Sequence, residues 1–265
     1  MVTITPLLYI AATLLLLMRV RSASSGSQLP QLKWGALVTA LVANLLHGYL
    51  LWDIIVMGTN LNLSLFLVIS LTAWLINLIV ISSSFFNPNE NLAIVTMPAA
   101  IVAIILVALY PHHEMIDLSA IPGLKFHILF SIISYSLLSI AAAQALLVAF
   151  QDYHLRKHHL RTVMGIFPSL ETMESLLFQM ISLGLILLSI SLISGGWFIS
   201  DIFAQHLVHK TVLSIMAWLL FAILLWGRWK FGWRGRKAIR WTLAGLILLM
   251  LAYFGSKTVM ELILA

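Results

Sequence analysis

Cysteine is absent from all 265 residues, which excludes structural disulfides, thiolate metal sites, CxxC redox chemistry and a cysteine nucleophile together. Charge is nearly as scarce. Only 9% of the residues are Asp, Glu, Lys or Arg, against roughly 25% in an ordinary globular domain. A water-facing surface cannot be covered at that density, so a soluble fold is excluded and most of the outer surface has to face lipid. Carboxylates are missing from the middles of the apolar stretches. All nine of them (Asp53, Glu90, Glu114, Asp117, Asp152, Glu171, Glu174, Asp201, Glu261) fall in connections or within a few residues of a span end. That argues against ion coupling through membrane-buried acids, and Pro98 and Gly184 are isolated helix breakers rather than a matched pair.

What the chain does have is hydrophobic length. Hydrophobic residues make up 62% of it, and uncharged stretches recur at the roughly 20 residues needed to cross a bilayer at ~1.5 Å per residue. Eight are found, at about 3–18, 34–52, 61–83, 92–110, 126–150, 175–194, 206–227 and 241–256. The predicted fold class is all-α: a polytopic membrane protein, a bundle of about eight transmembrane helices, with residues 1–265 forming a single integral membrane domain. The longest connections, at 111–125 and 151–174, leave room for at most a short surface helix each, and no repeat or low-complexity segment interrupts the pattern.

Lysine and arginine orient these spans, because basic residues are retained on the cytoplasmic side of short loops. Arg19, Arg21 and Lys33 lie in the first connection, Arg156, Lys157 and Arg161 in the fifth, and Arg228, Lys230, Arg234, Arg236, Lys237 and Arg240 in the seventh, twelve of the 15 basic residues. Lys125, Lys210 and Lys257 fall at the opposite ends of spans. An even number of crossings then places both termini outside the cytoplasm. The first span carries its positive charge after the apolar run, which reads as an outward-starting anchor and not as a signal peptide. Basic loops against anionic lipid account for the net charge of +6 without a nucleic-acid partner. Trp34, Trp52, Trp197, Trp226, Trp229, Trp233 and Trp241 sit at or near span ends, as interfacial belts require.

Histidine stands out among the polar residues. Four of the nine, His47, His127, His206 and His209, fall in or at the outer halves of spans. His47 lies below the outer interface, with Asn44 three residues before it on the same helical face as a candidate supporting partner. His127 opens the fifth span and heads a short polar stripe through Ser131 and Ser134 that turns apolar at Leu138, a face turned into the bundle. His206 and His209 are one turn apart, with Lys210 and Ser214 continuing the row. Neutral imidazoles from different helices are a common axial pair for haem in an apolar pocket, whereas a bare zinc or copper site would bring thiolate, carboxylate or methionine ligands. His112 and His113 form an outer loop pair. His154, His158 and His159 lie in a solvated basic collar, DYHLRKHHLR, with no carboxylate or cysteine to complete a metal site.

Several segments resemble one family. FHILFSIISYSLL is similar to the segment of cytochrome c assembly proteins of the CcsA, CcmC and HemX type in which an outward-facing histidine opens a helix followed by a Ser-Tyr pair. LGLILLSISLISGGWF, HKTVLSIMAWLLFAILLWGRW and GWRGRKAIRWTLAGLILLMLAYFGSK resemble the family's following spans, and NLSLF after His47 resembles the neighbourhood of its first intramembrane histidine. The likeness is best over 126–260 and closest to the YpjD-like inner-membrane branch. There are departures too. Trp197 followed by FISDIFAQHLVHK stands where cofactor-loaded members carry a tryptophan-dense loop, and Trp226 stands where a second intramembrane histidine would be.

The resemblance implies a multi-pass protein of the bacterial inner membrane with periplasmic N and C termini. It further implies haem b as cofactor, with His47, His127 and His209 as candidate iron ligands and His206 close by. Asn44, Ser131, Trp197 and Lys210 would be supporting residues. No catalytic residue is assigned, since the altered tryptophan loop does not carry haem attachment. An apocytochrome or an inner-membrane protein is the implied partner, beside membrane lipid. Three readings follow: a haem-handling protein of cytochrome c assembly, a non-enzymatic accessory subunit that keeps the fold without the haem platform, and a transporter of haem or another hydrophobic solute.

Overall fold

Helices begin and end in this protein where the sequence changes character. The computed structural model describes residues 1–24, 29–57, 60–111, 115–117, 123–156, 167–198 and 207–255. The elements are α1 (Ile4–Ser24), α2 (Pro30–Ile55), α3 (Leu65–Ser84), α4 (Asn91–Leu109), α5 (Leu124–Arg156), α6 (Leu170–Phe198), α7 (Leu207–Phe231) and α8 (Arg236–Met250), the last continuing as a π-helical turn, Leu251–Gly255. Pro30 opens α2, a position where its missing N–H costs nothing. Pro111 follows α4, Pro168 precedes α6, and the α7–α8 connection turns on Gly232 and Gly235 at positive φ. Among the described residues eight helices, α8 together with its π-helical turn, are long and apolar enough to cross a membrane, matching the expected class and number. Short strands β1 (Val56–Met57), β2 (Asn60–Asn62) and β3 (Met115–Asp117) form a small sheet in the order β1-β2-β3, with Val56 opposite Leu61 in an antiparallel pair. Apolar periodicity did not predict it.

The chain forms two compact units, Met1–Ile116 with Phe150–Thr172, and Asp117–Ala149 with Met173–Ala265. In the first, α1 packs on α2 and α4, and α3 packs on the same two, closing a ring of four sequential helices. Small residues make the close approach possible: Ala12, Ala36, Ala40, Ala43, Ala93, Ala100 and Ala103 are buried inside it. Between them runs a polar seam. Ser70, Asn77 and Ser84 recur every seven residues on α3 and are all buried, so they share one face turned to the interior. Asn77 Nδ2 donates to Thr96 O (3.1 Å) while Thr96 Oγ1 donates to Asn77 Oδ1 (2.9 Å), tying α3 to α4. Lipid offers such groups no partner, so each has to be satisfied within the bundle.

At the end of this unit that carries the basic residues, Glu90 is buried and accepts an ion pair from Arg19, with Lys33 Nζ 3.4 Å from its other oxygen. One carboxylate therefore joins the end of α1, the start of α2 and the start of α4.

In the second unit, α5 and α6 lie antiparallel. Ser131 Oγ meets Ser191 Oγ (2.6 Å), Ser134 Oγ donates to Gly184 O (2.8 Å), and Gln144 Nε2 donates to Met173 O (3.0 Å). Leu138 is fully buried against Gly184, the apolar continuation expected of this stripe. Trp218 Nε1 donates to Ser189 Oγ (2.8 Å), joining α7 to α6, and α8 packs along α7.

The second unit has its own buried carboxylate. Glu174, near the start of α6, accepts from Arg234 Nε (3.0 Å) and from the backbone N–H of Gly235 (2.8 Å), clamping the turn before α8. Gly235 holds φ 56°, ψ −129°, a conformation that a side chain would strain.

Candidate histidine sites

His127 lies in the first turn of α5, half-buried against the last turns of α6. Its Nδ1 is 3.0 Å from the carbonyl oxygen of Ser191 and 3.1 Å from Ser194 Oγ. A carbonyl can only accept, so the ring hydrogen belongs on Nδ1. Nε2 is left with its lone pair, and it makes no hydrogen bond among the described residues. A histidine whose Nδ1–H is held by a backbone carbonyl is the arrangement that metal-ligating imidazoles use, because it fixes both tautomer and ring orientation. The ring fits there because residue 195 is glycine: a Cβ at that position would lie 2.9 Å from His127 Cε1. Ser131 supports the site from below, bonded to His127 O (2.6 Å) and facing Ser191.

His47 has a different environment. It is buried in the first unit at 1% exposure, with Nε2 2.9 Å from Ser70 Oγ and Nδ1 3.5 Å from Tyr9 Oη. Asn44 does not touch it. Its Nδ2 instead donates to Tyr9 Oη (3.0 Å) and to Trp74 O (3.1 Å), while Trp74 Nε1 donates back to Asn44 O (2.9 Å). Asn44 thus supports His47 through Tyr9. With Tyr9 Oη accepting from Asn44, its own hydrogen points to His47 Nδ1, and the imidazole hydrogen falls on Nε2 toward Ser70. Both ring nitrogens are engaged, and the tautomer is opposite to that of His127. Asn44 Oδ1 is buried with no hydrogen-bond partner, an unmet acceptor of the kind that costs about 1–3 kcal/mol.

His209 is exposed in the first turn of α7, followed by Lys210. His206 lies outside the described residues, as do His112, His113, His158 and His159, and nothing is described for the side chain of Trp197. His154 stacks on Phe150, ring centroids 4.1 Å apart, and bonds its carbonyl at 2.9 Å. Among the described residues no three of His, Asp and Glu come together as a metal site. The second unit does unite two of the segments that carry the resemblance. Tyr135 of the Ser-Tyr pair sets its ring edge-on against Phe254 of the Tyr-Phe-Gly at 5.3 Å, and its buried hydroxyl has no hydrogen-bond partner. Glu90, Glu174 and Tyr9 went unremarked as site-builders in the sequence. For Tyr9 the one available signal was a tyrosine within an apolar span.

Comparison with known proteins relates the chain to one family. Residues 34–264 match the family model for cytochrome C assembly protein. The chain is 34% identical over 230 residues to the inner membrane protein YpjD of Escherichia coli K12, covering 86% of this chain and 87% of that protein. It is 28% identical over 150 residues to an uncharacterized 28.8 kDa protein of Azospirillum brasilense, 54% of each chain. A shorter match, 28% over 103 residues, relates it to the cytochrome c biogenesis protein CcsA of Prochlorococcus marinus, covering 38% of this chain and 33% of that one. No solved structure matches. An eight-helix membrane fold, an α5 opened by histidine and a family match across 34–264 lead to one assignment: this chain belongs to the cytochrome c assembly protein family.

Proposed function

We propose that this protein handles haem in the bacterial inner membrane as part of cytochrome c assembly, with His127 Nε2 as a nitrogen that would hold the iron. The observation that carries this is the hydrogen bond from His127 Nδ1 to Ser191 O, which leaves the other nitrogen in the state that iron accepts. The donor set at His127 fits haem b, since a neutral imidazole is a sufficient protein ligand. His209 is the candidate second ligand from the same unit, with His206 three residues before it in the sequence; His47 is a separate candidate within the first unit. Bound haem would supply the iron and the vinyl groups on which thioether bonds are made; this chain, lacking cysteine, holds and shields it while a partner apocytochrome brings the thiols. The basic ends of the helices face the cytoplasm in this reading, placing the His127 end and both termini in the periplasm.

A second reading has its own observation. His47 is hydrogen-bonded at both nitrogens, the state of a structural histidine, which favours an accessory subunit that packs against another inner-membrane protein. The absorption spectrum of protein purified in mild detergent from haem-replete cells divides the two. A near-stoichiometric Soret band with sharp α and β bands after dithionite is expected, and a colourless protein would transfer the conclusion to the accessory reading.

Gly195→Ala tests the site without touching a ligand. Its methyl group collides with the imidazole and turns Nδ1 off Ser191 O, so haem affinity is expected to fall about 10- to 100-fold, the usual effect of losing such an outer partner. Haem titration of the purified apoprotein measures it. Unchanged affinity would mean that iron is held elsewhere.

A further inference from the structure

The basic residues of this protein are not all alike once their partners are known. Arg19 and Lys33 are neutralised by buried Glu90, Arg156 by Asp152 (2.9 Å), and Arg234 by Glu174. Arg228 and Lys230, in the last turn of α7, and Lys237 and Arg240, in the first turns of α8, flank the α7–α8 turn and have no carboxylate partner among the described residues. Arg228 lies over the Phe178 ring (4.7 Å) and Lys237 over Trp233 (5.4 Å), contacts that position a cation without neutralising it. Lys237 also occupies the first turn of α8, where the helix dipole opposes a positive charge.

The turn that carries these cations is built, not loose. Glu174 clamps Arg234 and the Gly235 N–H, and Trp233 packs over Gly227 and against Trp241 (5.5 Å). Around it the aromatic rings face outward: Trp229 is 84% exposed, with Phe231 and Trp226 exposed beside it. Exposed tryptophan at the end of a membrane helix sits at headgroup depth. Uncompensated cations at that depth meet one anion in abundance, the phosphodiester of an acidic phospholipid.

We infer that the α7–α8 turn is a headgroup site for anionic phospholipid, with Lys230, Lys237 and Arg240 binding the phosphodiester and Trp229 and Phe231 seated in the adjoining interface. This is independent of haem. The turn does more than orient the chain: it selects the lipid that surrounds the second unit.

Native mass spectrometry of the full-length protein, released from detergent with cardiolipin, phosphatidylglycerol or phosphatidylethanolamine added, tests this. Wild type is expected to retain the two anionic lipids over phosphatidylethanolamine. A basic residue near an anionic surface contributes about fivefold, so the triple variant Lys230→Gln, Lys237→Gln, Arg240→Gln is expected to lose roughly a hundredfold of that preference. The charge-conserving pair Lys230→Arg, Lys237→Arg should keep it, as should Arg156→Gln, whose cation is already paired. Equal retention by wild type and triple variant would overturn the inference, as would equal loss in Arg156→Gln. Displacement of the lipid by millimolar inorganic phosphate would overturn the lipid assignment in favour of a simple anion site. Absence of lipid preference together with a co-purifying acidic protein lost only in the triple variant would overturn it in favour of a protein partner. A triple variant that unfolds is replaced by its three single variants, each expected to lose about fivefold.

Discussion

If the protein holds haem as proposed, a His127→Ala variant is expected to lack the low-spin haem spectrum expected of wild type while still inserting and folding. Half-exposed at the head of α5, the side chain makes two hydrogen bonds, both to the last turns of α6. Its removal leaves Ser194 Oγ bonded to Ser191 O (2.9 Å), so the helix end retains an internal partner and the structural cost is small. The chemical cost is complete, because no other group of that turn offers a nitrogen lone pair. Ser194→Ala should change little, since the Ser191 carbonyl still holds Nδ1. His154→Ala, at a ring that accompanies Phe150 near the opposite end of α5, should leave the Soret band untouched. His47→Ala separates the two readings: as a ligand its loss alters the haem spectrum, whereas as a structural residue its loss lowers stability with the spectrum unchanged. An unaltered Soret band in both His127→Ala and His47→Ala would remove the proposed ligands altogether.

The second large effect is on stability. Glu90→Gln is expected to destabilise the protein by about 2–3 kcal/mol. Breaking a buried ion pair costs roughly 3–5 kcal/mol when the partner charge is left in a dry interior, and here Arg19 and Lys33 keep 32% and 20% of their side-chain surface in contact with the surroundings, which reduces the figure. The carboxylate itself is only 6% exposed. Asp152→Asn, which removes an exposed i,i+4 pair on α5, should cost no more than about 0.5 kcal/mol. Thermal unfolding in a single detergent checks both. Equal melting temperatures for Glu90→Gln and wild type would show that Glu90 does not hold the helix ends together.

Glu90 and Glu174 also show why part of this protein could not be read from its residues. In the sequence each is one acid near a span end, indistinguishable from Glu171 or Asp152. Burial and arginine partners 60 or more positions away make them different, and no local pattern records a partner at that separation. Tyr9 is a similar case. It is a lone hydroxyl in an apolar span until the first four helices close and bring it between Asn44 and His47. Ser131 and Ser134 were legible for the opposite reason: helical spacing puts them on the face of His127, and any partner helix had to cover that face.

Composition and run length by themselves determined that this is a helical membrane protein with eight spans, because lipid forces each span to satisfy its own backbone and to be apolar for about 20 residues. The same sequence marked histidine as its distinctive chemistry, since no carboxylate stands in the middle of a span. It left His47 and His127 alike, two imidazoles on apolar helices. The tertiary structure made them unlike. A carbonyl of α6 holds the hydrogen of His127 on Nδ1 and leaves the lone pair on Nε2, while Tyr9 and Ser70 engage both nitrogens of His47. Which nitrogen carries the hydrogen depends on the groups facing the ring across helix contacts, and those contacts exist only once the bundle is formed.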